Sequence, residues 1–222
     1  MIDLDNLEIY KQYDPQGMLL HLRNLPQQCR TAWEKANEFA LSAEFKDVNK
    51  IVICGMGGSA IGGDLLRSLA SNLSQAIILV NRDYNLPAFV DSKTLVIASS
   101  YSGNTEETLS AFEQALNINC NKLAITGDGR LKYLAQEKGI PVFTIDYFSQ
   151  PRAALGYSFI PLLAFLGKSG FLEDKSAEVE RMAQTLETLL DQLAENIPKT
   201  LNPAKQLAEK LFGKLIVIYG AG

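Results

Sequence analysis

Histidine is almost absent from this chain of 222 residues: His21 stands alone. With one imidazole, no histidine-based metal cluster can form from the chain itself. Cysteine is scarce as well. Cys29, Cys54 and Cys120 are odd in number and share no short metal-type spacing such as CxxC, so they read as reduced, buried thiols. Positive charge is not in excess. The net charge of −4 leaves no basic field to hold nucleic acid or anionic lipid, and any bound anion needs a local site. Long apolar runs are missing too: residues 153–167 are the longest, hold Ser158 and Pro161, and fall short of the roughly 20 residues that a bilayer span needs. The opening MIDLDNLEIYKQYD is acidic, unlike the basic and then apolar start of a signal peptide. The expectation is a cytoplasmic protein with neither nucleic acid nor membrane as partner.

What is present is ordinary globular composition, 47% hydrophobic and 21% charged, arranged in a regular rhythm. Five short apolar runs recur: KIVIC (50–54), AIILV (76–80), TLVIASS (94–100), KLAIT (122–126) and PVFTI (141–145). None alternates, as expected of strands buried on both faces of a parallel sheet. Segments of helical spacing lie between most of them, for example Ile61, Leu65, Leu66 and Leu69, then Leu109, Phe112 and Leu116. Strand, helix, strand alternation predicts a right-handed, doubly wound α/β layer structure.

Helical patterning also flanks this region. Residues 15–45 are expected to be helical, followed after the sheet by an apolar helix over 153–168 and a long amphipathic one over 173–196. Asn202 and Pro203 suit the N-cap and first position of a further helix that stops at Gly213. The segment LIVIYGAG (215–222) matches KIVICGMG (50–57) at five of eight positions, which points to an internal repeat whose second copy has just begun. The expected organisation is therefore an N-terminal helical segment (1–48), an α/β domain (49–168), a helical linker (169–213), and the first strand of a second domain (214–222).

Two loops carry the chemistry. In parallel sheets, ligands bind beyond the carboxyl ends of the strands, and CGMGGSAIGG follows the first strand there. Gly57 and Gly58 let main-chain N–H groups approach an anion, and Ser59 offers a hydroxyl. The pattern is not a strict GxGxxG, and it lacks the GK[ST] of a Walker loop. After the third strand, SSYSGNTEET presents Ser99, Ser100, Ser102 and Thr105 around Gly103 at the start of another helix, where amides favour an anion. Glu106 and Glu107 are explained by the helix dipole rather than as a catalytic pair. Arg152, beside Pro151 at the start of an apolar helix, is a cation at a positive helix end and is more comfortable with an anion nearby. His21 reads as a satisfied, partly buried helix residue.

GMGGSAIGGDL (55–65), SSYSGNTEET (99–108) and PRAALGY (151–157), in this order and at these separations, resemble the bifunctional phosphoglucose/phosphomannose isomerases of the sugar isomerase (SIS) superfamily. The N-terminal YDPQGML (13–19) fits as well. The resemblance implies an SIS fold: a five-stranded parallel sheet of flavodoxin-like type between helices, here with N-terminal helices and a C-terminal helical linker. It also implies two such domains per chain and a homodimer. The implied activity interconverts glucose 6-phosphate or mannose 6-phosphate with fructose 6-phosphate through a cis-enediolate, with no metal or organic cofactor. By motif, Ser100, Ser102 and Thr105 would hold the substrate phosphate, Gly57, Gly58 and Ser59 would line the sugar, and Arg152 would stabilise the enediolate. In that family the base glutamate and the ring-opening histidine lie in the second domain, which falls beyond Gly222, so this chain alone is expected to be inactive. The competing expectation is a non-catalytic SIS module that senses a phosphosugar, which would not need Arg152. A nucleotide-binding domain is disfavoured by the loop patterns.

Overall fold

The computed structural model describes residues 3–41, 45 and 47–220. Five strands, β1 (Lys50–Cys54), β2 (Ile77–Asn81), β3 (Thr94–Ser100), β4 (Asn121–Thr126) and β5 (Val142–Thr144), form one sheet in the order β2-β1-β3-β4-β5. All four pairings are parallel, with β3 fully buried in the middle. The five apolar runs are the five strands of one parallel sheet, and its order is of the flavodoxin-like type that the resemblance implied.

The strands are apolar on both sides because both sides are covered. Ile51 and Ile53 of β1 face one way, into a core shared with α3 (Leu25–Glu38), α4 (Gly57–Ala70) and α7 (Leu155–Lys168). Val52 and Cys54 face the other way, toward Ala111 and Ala115 of α5 (Glu106–Leu116). α6 (Gly129–Glu137) packs beside α5 through Leu131 and Ala135. α7 is buried almost all round despite Pro161 in its interior, because α3, α4 and the sheet enclose it. The α4–α7 crossing is tight at Gly62, where a side chain would run into the Ser158 carbonyl.

The helices differ in detail from the sequence expectation. Residues 15–45 do not form one helix: α2 (Met18–Arg23) stops before Asn24 and α3 restarts at Leu25. Pro26 is the reason, since it has no N–H to continue the ladder of α2 and is suited instead to the first turn of a new helix. Residues 42–44 and 46 lie outside the described residues. A short α1 (Glu8–Tyr13), with no buried residue, gave no sequence signal. The long helix is α8 (Ser176–Leu193), held to α3 by Arg30, which donates to both carboxylate oxygens of Glu180 at 2.9 Å and to Glu187 at 2.5 and 3.1 Å. α9 (Pro203–Leu211) begins as expected, with the Asn202 side chain accepting from the Ala204 and Lys205 N–H groups.

Residues 214–220 are in neither helix nor strand, and Leu215, Ile218 and Tyr219 are exposed. A strand needs a ladder partner, and among the described residues none pairs with this segment. Residues 221 and 222 lie outside the described residues. No described helix is long and apolar enough to cross a membrane.

Candidate functional site

The carboxyl ends of β1 and β3 bring the two candidate loops side by side. α4 opens at Gly57, whose φ of +49° is one that side-chain-bearing residues rarely adopt. Ser59, in the first turn, is buried, and its Oγ accepts the backbone N–H of Tyr101 at 3.2 Å, which ties GMGGS directly to SSYSGNT. Gly58 faces a third segment. A Cβ there would sit 3.0 Å from the Pro151 carbonyl oxygen and 3.5 Å from the Arg152 nitrogen, so PRAA lies against the first turn of α4.

The hydroxyl loop is held from within and from behind. Ser100 Oγ and Thr105 Oγ1 share a hydrogen bond of 2.9 Å, and the Gly103 N–H donates to Ser100 Oγ at 3.1 Å. Ser102 is exposed, and its Oγ accepts from the Asn104 N–H at 3.3 Å, so its own proton is free to be donated outward. Behind the loop, Gly103 (φ +70°) leaves room for the Asp128 carbonyl. The Leu131 N–H donates to the Gly103 carbonyl at 2.9 Å, and the Arg130 N–H to Asn104 Oδ1 at 3.0 Å. α5 begins next. Thr105 is its N-cap, yet its side chain caps no amide, so the first-turn N–H groups carry no side-chain partner from it. Such amides, with the positive end of a helix, suit an oxyanion. Glu106 turns away from this mouth: its carboxylate accepts from the Tyr84 hydroxyl at 3.3 Å, and the charges of Glu107 and Glu106, with burial, raise the Tyr84 phenol above its ordinary value.

Arg152 is not at the start of α7, as its sequence context suggested. It lies in a single 3-10 turn, Pro151–Ala153, and α7 begins only at Leu155. Ala154 separates the two, so the positive end of α7 does not account for Arg152. The side chain is exposed and forms no ion pair among the described residues.

A groove of about 440 Å³ opens beside the hydroxyl loop, lined by Tyr101, Ser102, Asp128, Asp146, Tyr147 and Phe148 among others. His21 reaches its far wall, with Nδ1 2.7 Å from the Tyr147 hydroxyl, which is the partnered, half-buried histidine expected. Sequence reasoning missed the scaffold around these loops: Asn104, Thr126, the Tyr101 hydroxyl and Gln28. Asn104 and Tyr101 sit inside a noted motif and could have been weighed. Gln28 carried no signal, because its partner is 125 residues away. Among the described residues, no group of three or more His, Cys, Asp or Glu side chains comes together as a metal site.

A parallel sheet of this order, with glycine- and hydroxyl-rich loops joined at its carboxyl edge, is the arrangement that the resemblance to SIS proteins implied. No family model matches it. The chain is 17% identical to the solved tagatose-6-phosphate ketose/aldose isomerase of Escherichia coli, with a TM-score of 0.58 over 88% of this chain and 54% of that one, a likeness of fold. Among curated proteins, it is 48% identical over 197 residues to the bifunctional phosphoglucose/phosphomannose isomerase of Caldicellulosiruptor bescii, covering 89% of this chain and 58% of that protein. The same-named protein of Aquifex aeolicus is 36% identical over 187 residues, 82% of this chain and 54% of that protein. Over most of its own length the chain is similar to bifunctional phosphoglucose/phosphomannose isomerases, and it spans little more than half the length of these relatives.

Proposed function

We propose that this chain is the phosphosugar-binding half of an aldose–ketose isomerase that interconverts glucose 6-phosphate or mannose 6-phosphate with fructose 6-phosphate. One observation carries the reading: the Ser59–Tyr101 hydrogen bond and the Gly58–Pro151 contact join all three motifs at one sheet edge, so that hydroxyls, amides and an exposed guanidinium without an ion pair among the described residues share one mouth. Ser100, Ser102 and Thr105, with the α5 amides, hold the phosphate. Gly57, Gly58 and Ser59 line the sugar.

In the reaction, a base removes the proton on C2 of the open-chain aldose, the electron pair passes to the C1 carbonyl as a cis-enediolate, the proton on the C2 oxygen moves to the C1 oxygen, and a proton returned to C1 gives the ketose. Arg152 sits beside the developing negative oxygen. We assign the base carboxylate and the ring-opening histidine to the part of the family's length that this chain does not span. No metal or organic cofactor is needed for this proton transfer. A phosphosugar sensor would use the same loops but has no need of the exposed Arg152. The reaction's sugar phosphates are cytoplasmic solutes, which supports a cytoplasmic location. A homodimer is supported by Ile61, Leu65 and Leu69 on α4 and Leu73 in the turn after it, which recur every fourth residue as an exposed apolar stripe.

Calorimetry tests the site. Fructose 6-phosphate should bind this chain without being turned over, and Ser102→Ala should weaken binding by about tenfold or more, the worth of one hydrogen bond to a charged group. Binding indifferent to that substitution, or none, would count against the site.

A further inference from the structure

The turn that carries Arg152 is gripped from two sides by side chains outside the motif roles above. From α3, Gln28 is 1% exposed, and its Nε2 donates to the Ala153 carbonyl at 2.9 Å and, more weakly, to the His21 carbonyl at 3.4 Å. Among the described residues, its Oε1 is buried without a partner. An amide half-satisfied in the core is unfavourable for stability alone, so its one good bond, to the residue after Arg152, is what its presence explains. From the hydroxyl loop, the Tyr101 phenol donates to the Tyr147 carbonyl at 2.5 Å and accepts from the Ser149 N–H at 2.7 Å, two residues before Pro151. The backbone of Tyr101 meets the other loops: its N–H donates to Ser59 Oγ, and its carbonyl accepts from the Gly127 N–H at 3.1 Å. A single residue therefore contacts the first loop, the β4 loop and the segment leading to the arginine.

We propose that Gln28 and Tyr101 are positioning residues that fix the Pro151–Ala153 turn relative to the hydroxyl loop, so that a sugar held by its phosphate presents its reacting end to Arg152. This rests on the phosphosugar reading above. In that reading neither residue touches the reacting atoms. Their contribution is to set the span between phosphate and guanidinium, where small misplacements are costly.

The test uses this chain and three probes: inorganic phosphate, fructose 6-phosphate, and arabinonate 5-phosphate, whose carboxylate puts an enediolate-like charge at the reacting end. Dissociation constants are measured for the wild type, Tyr101→Phe, Gln28→Met and Arg152→Ala, with circular dichroism to establish folding. The wild type should prefer the aldonate over fructose 6-phosphate by about tenfold, as expected for one charge-assisted hydrogen bond. Arg152→Ala should abolish that preference. Tyr101→Phe and Gln28→Met should each cut it by about threefold or more while leaving phosphate affinity within about twofold, because only the arginine's placement changes. A purely structural role would weaken all probes alike. Tyr101→Phe removes one oxygen and keeps the ring, so it carries the test if Gln28→Met fails to fold. Preference retained in folded Tyr101→Phe overturns the proposal. A wild type that binds no probe overturns the phosphosugar reading itself, a separate result.

Discussion

Replacing Gly62 by alanine tests the packing that places the first loop. A methyl group on Gly62 would overlap the Ser158 carbonyl and lie 3.0 Å from the Phe159 nitrogen. These obstacles are main-chain atoms of α7, so no rotamer change relieves them, and the helices must part by roughly an ångström or more. Helix propensity pulls the other way, favouring alanine by about 1 kcal/mol. Overpacking a close-packed layer costs about 1–3 kcal/mol and occasionally more, and a backbone obstacle puts this site at the upper end, for a net loss of about 2 kcal/mol. In a chain of this size that lowers the thermal midpoint by about 4–8 °C. Gly167→Ala is the control in the same layer: its nearest atom is the Glu173 carbonyl oxygen at 3.9 Å, so alanine there should stabilise by about 0.5–1 kcal/mol. Urea and thermal unfolding of both variants read the two signs. A Gly62→Ala chain as stable as the wild type would refute the argument that close approach dictates glycine there.

In the full-length isomerase proposed above, Arg152→Lys should lower kcat about 100-fold or more with a smaller change in KM, because lysine keeps the charge but not the planar fork proposed to meet the enediolate; steady-state rates with unchanged kcat would return Arg152 to an ordinary surface role. Arg30, by hydrogen-bonding Glu187 and Glu180, holds both carboxyls below their ordinary value of 4.5. That contribution is present above about pH 4.5 and is lost as pH falls through the lowered folded values, so Arg30→Met should flatten the acid limb of a stability–pH profile, and an unchanged limb would contradict the ion pairs. Burial pushes Cys29 up to about 11 and Cys54 to about 12, and raises Cys120 as well. The folded chain should therefore resist thiol reagents at pH 8, and rapid labelling of Cys54 before unfolding would show that the β1 core is wrongly described.

The sheet was legible because a strand covered on both faces must be apolar at successive positions, and KIVIC or TLVIASS has few other uses. The loops were legible for a related reason: Gly57 and Gly103 answer local backbone demands that appear in the sequence as glycine itself. Pro26 was visible but under-read, and it splits what looked like one N-terminal helix. The placement of Arg152 was not legible, since a 3-10 turn and the first turn of an α-helix both accept proline at the start. Nor could Gln28 be found, because a hydrogen bond between residues 125 apart has no periodicity to betray it.

α7 is apolar on nearly every side, and α3 supplies part of its cover through Cys29, Ala32 and Ala36, while Lys168 at its end donates to the Ala36, Asn37 and Phe39 carbonyls. α3 is synthesised early and its partner late. At about 5–20 residues per second, the interval between Gln28 and Ala153 on the ribosome is on the order of 10 s, during which the inner face of α3 has no α7 to meet. The N-terminal helices therefore cannot fold to completion as a leading unit, and the arginine turn is set only when the last helix of the layer closes over them.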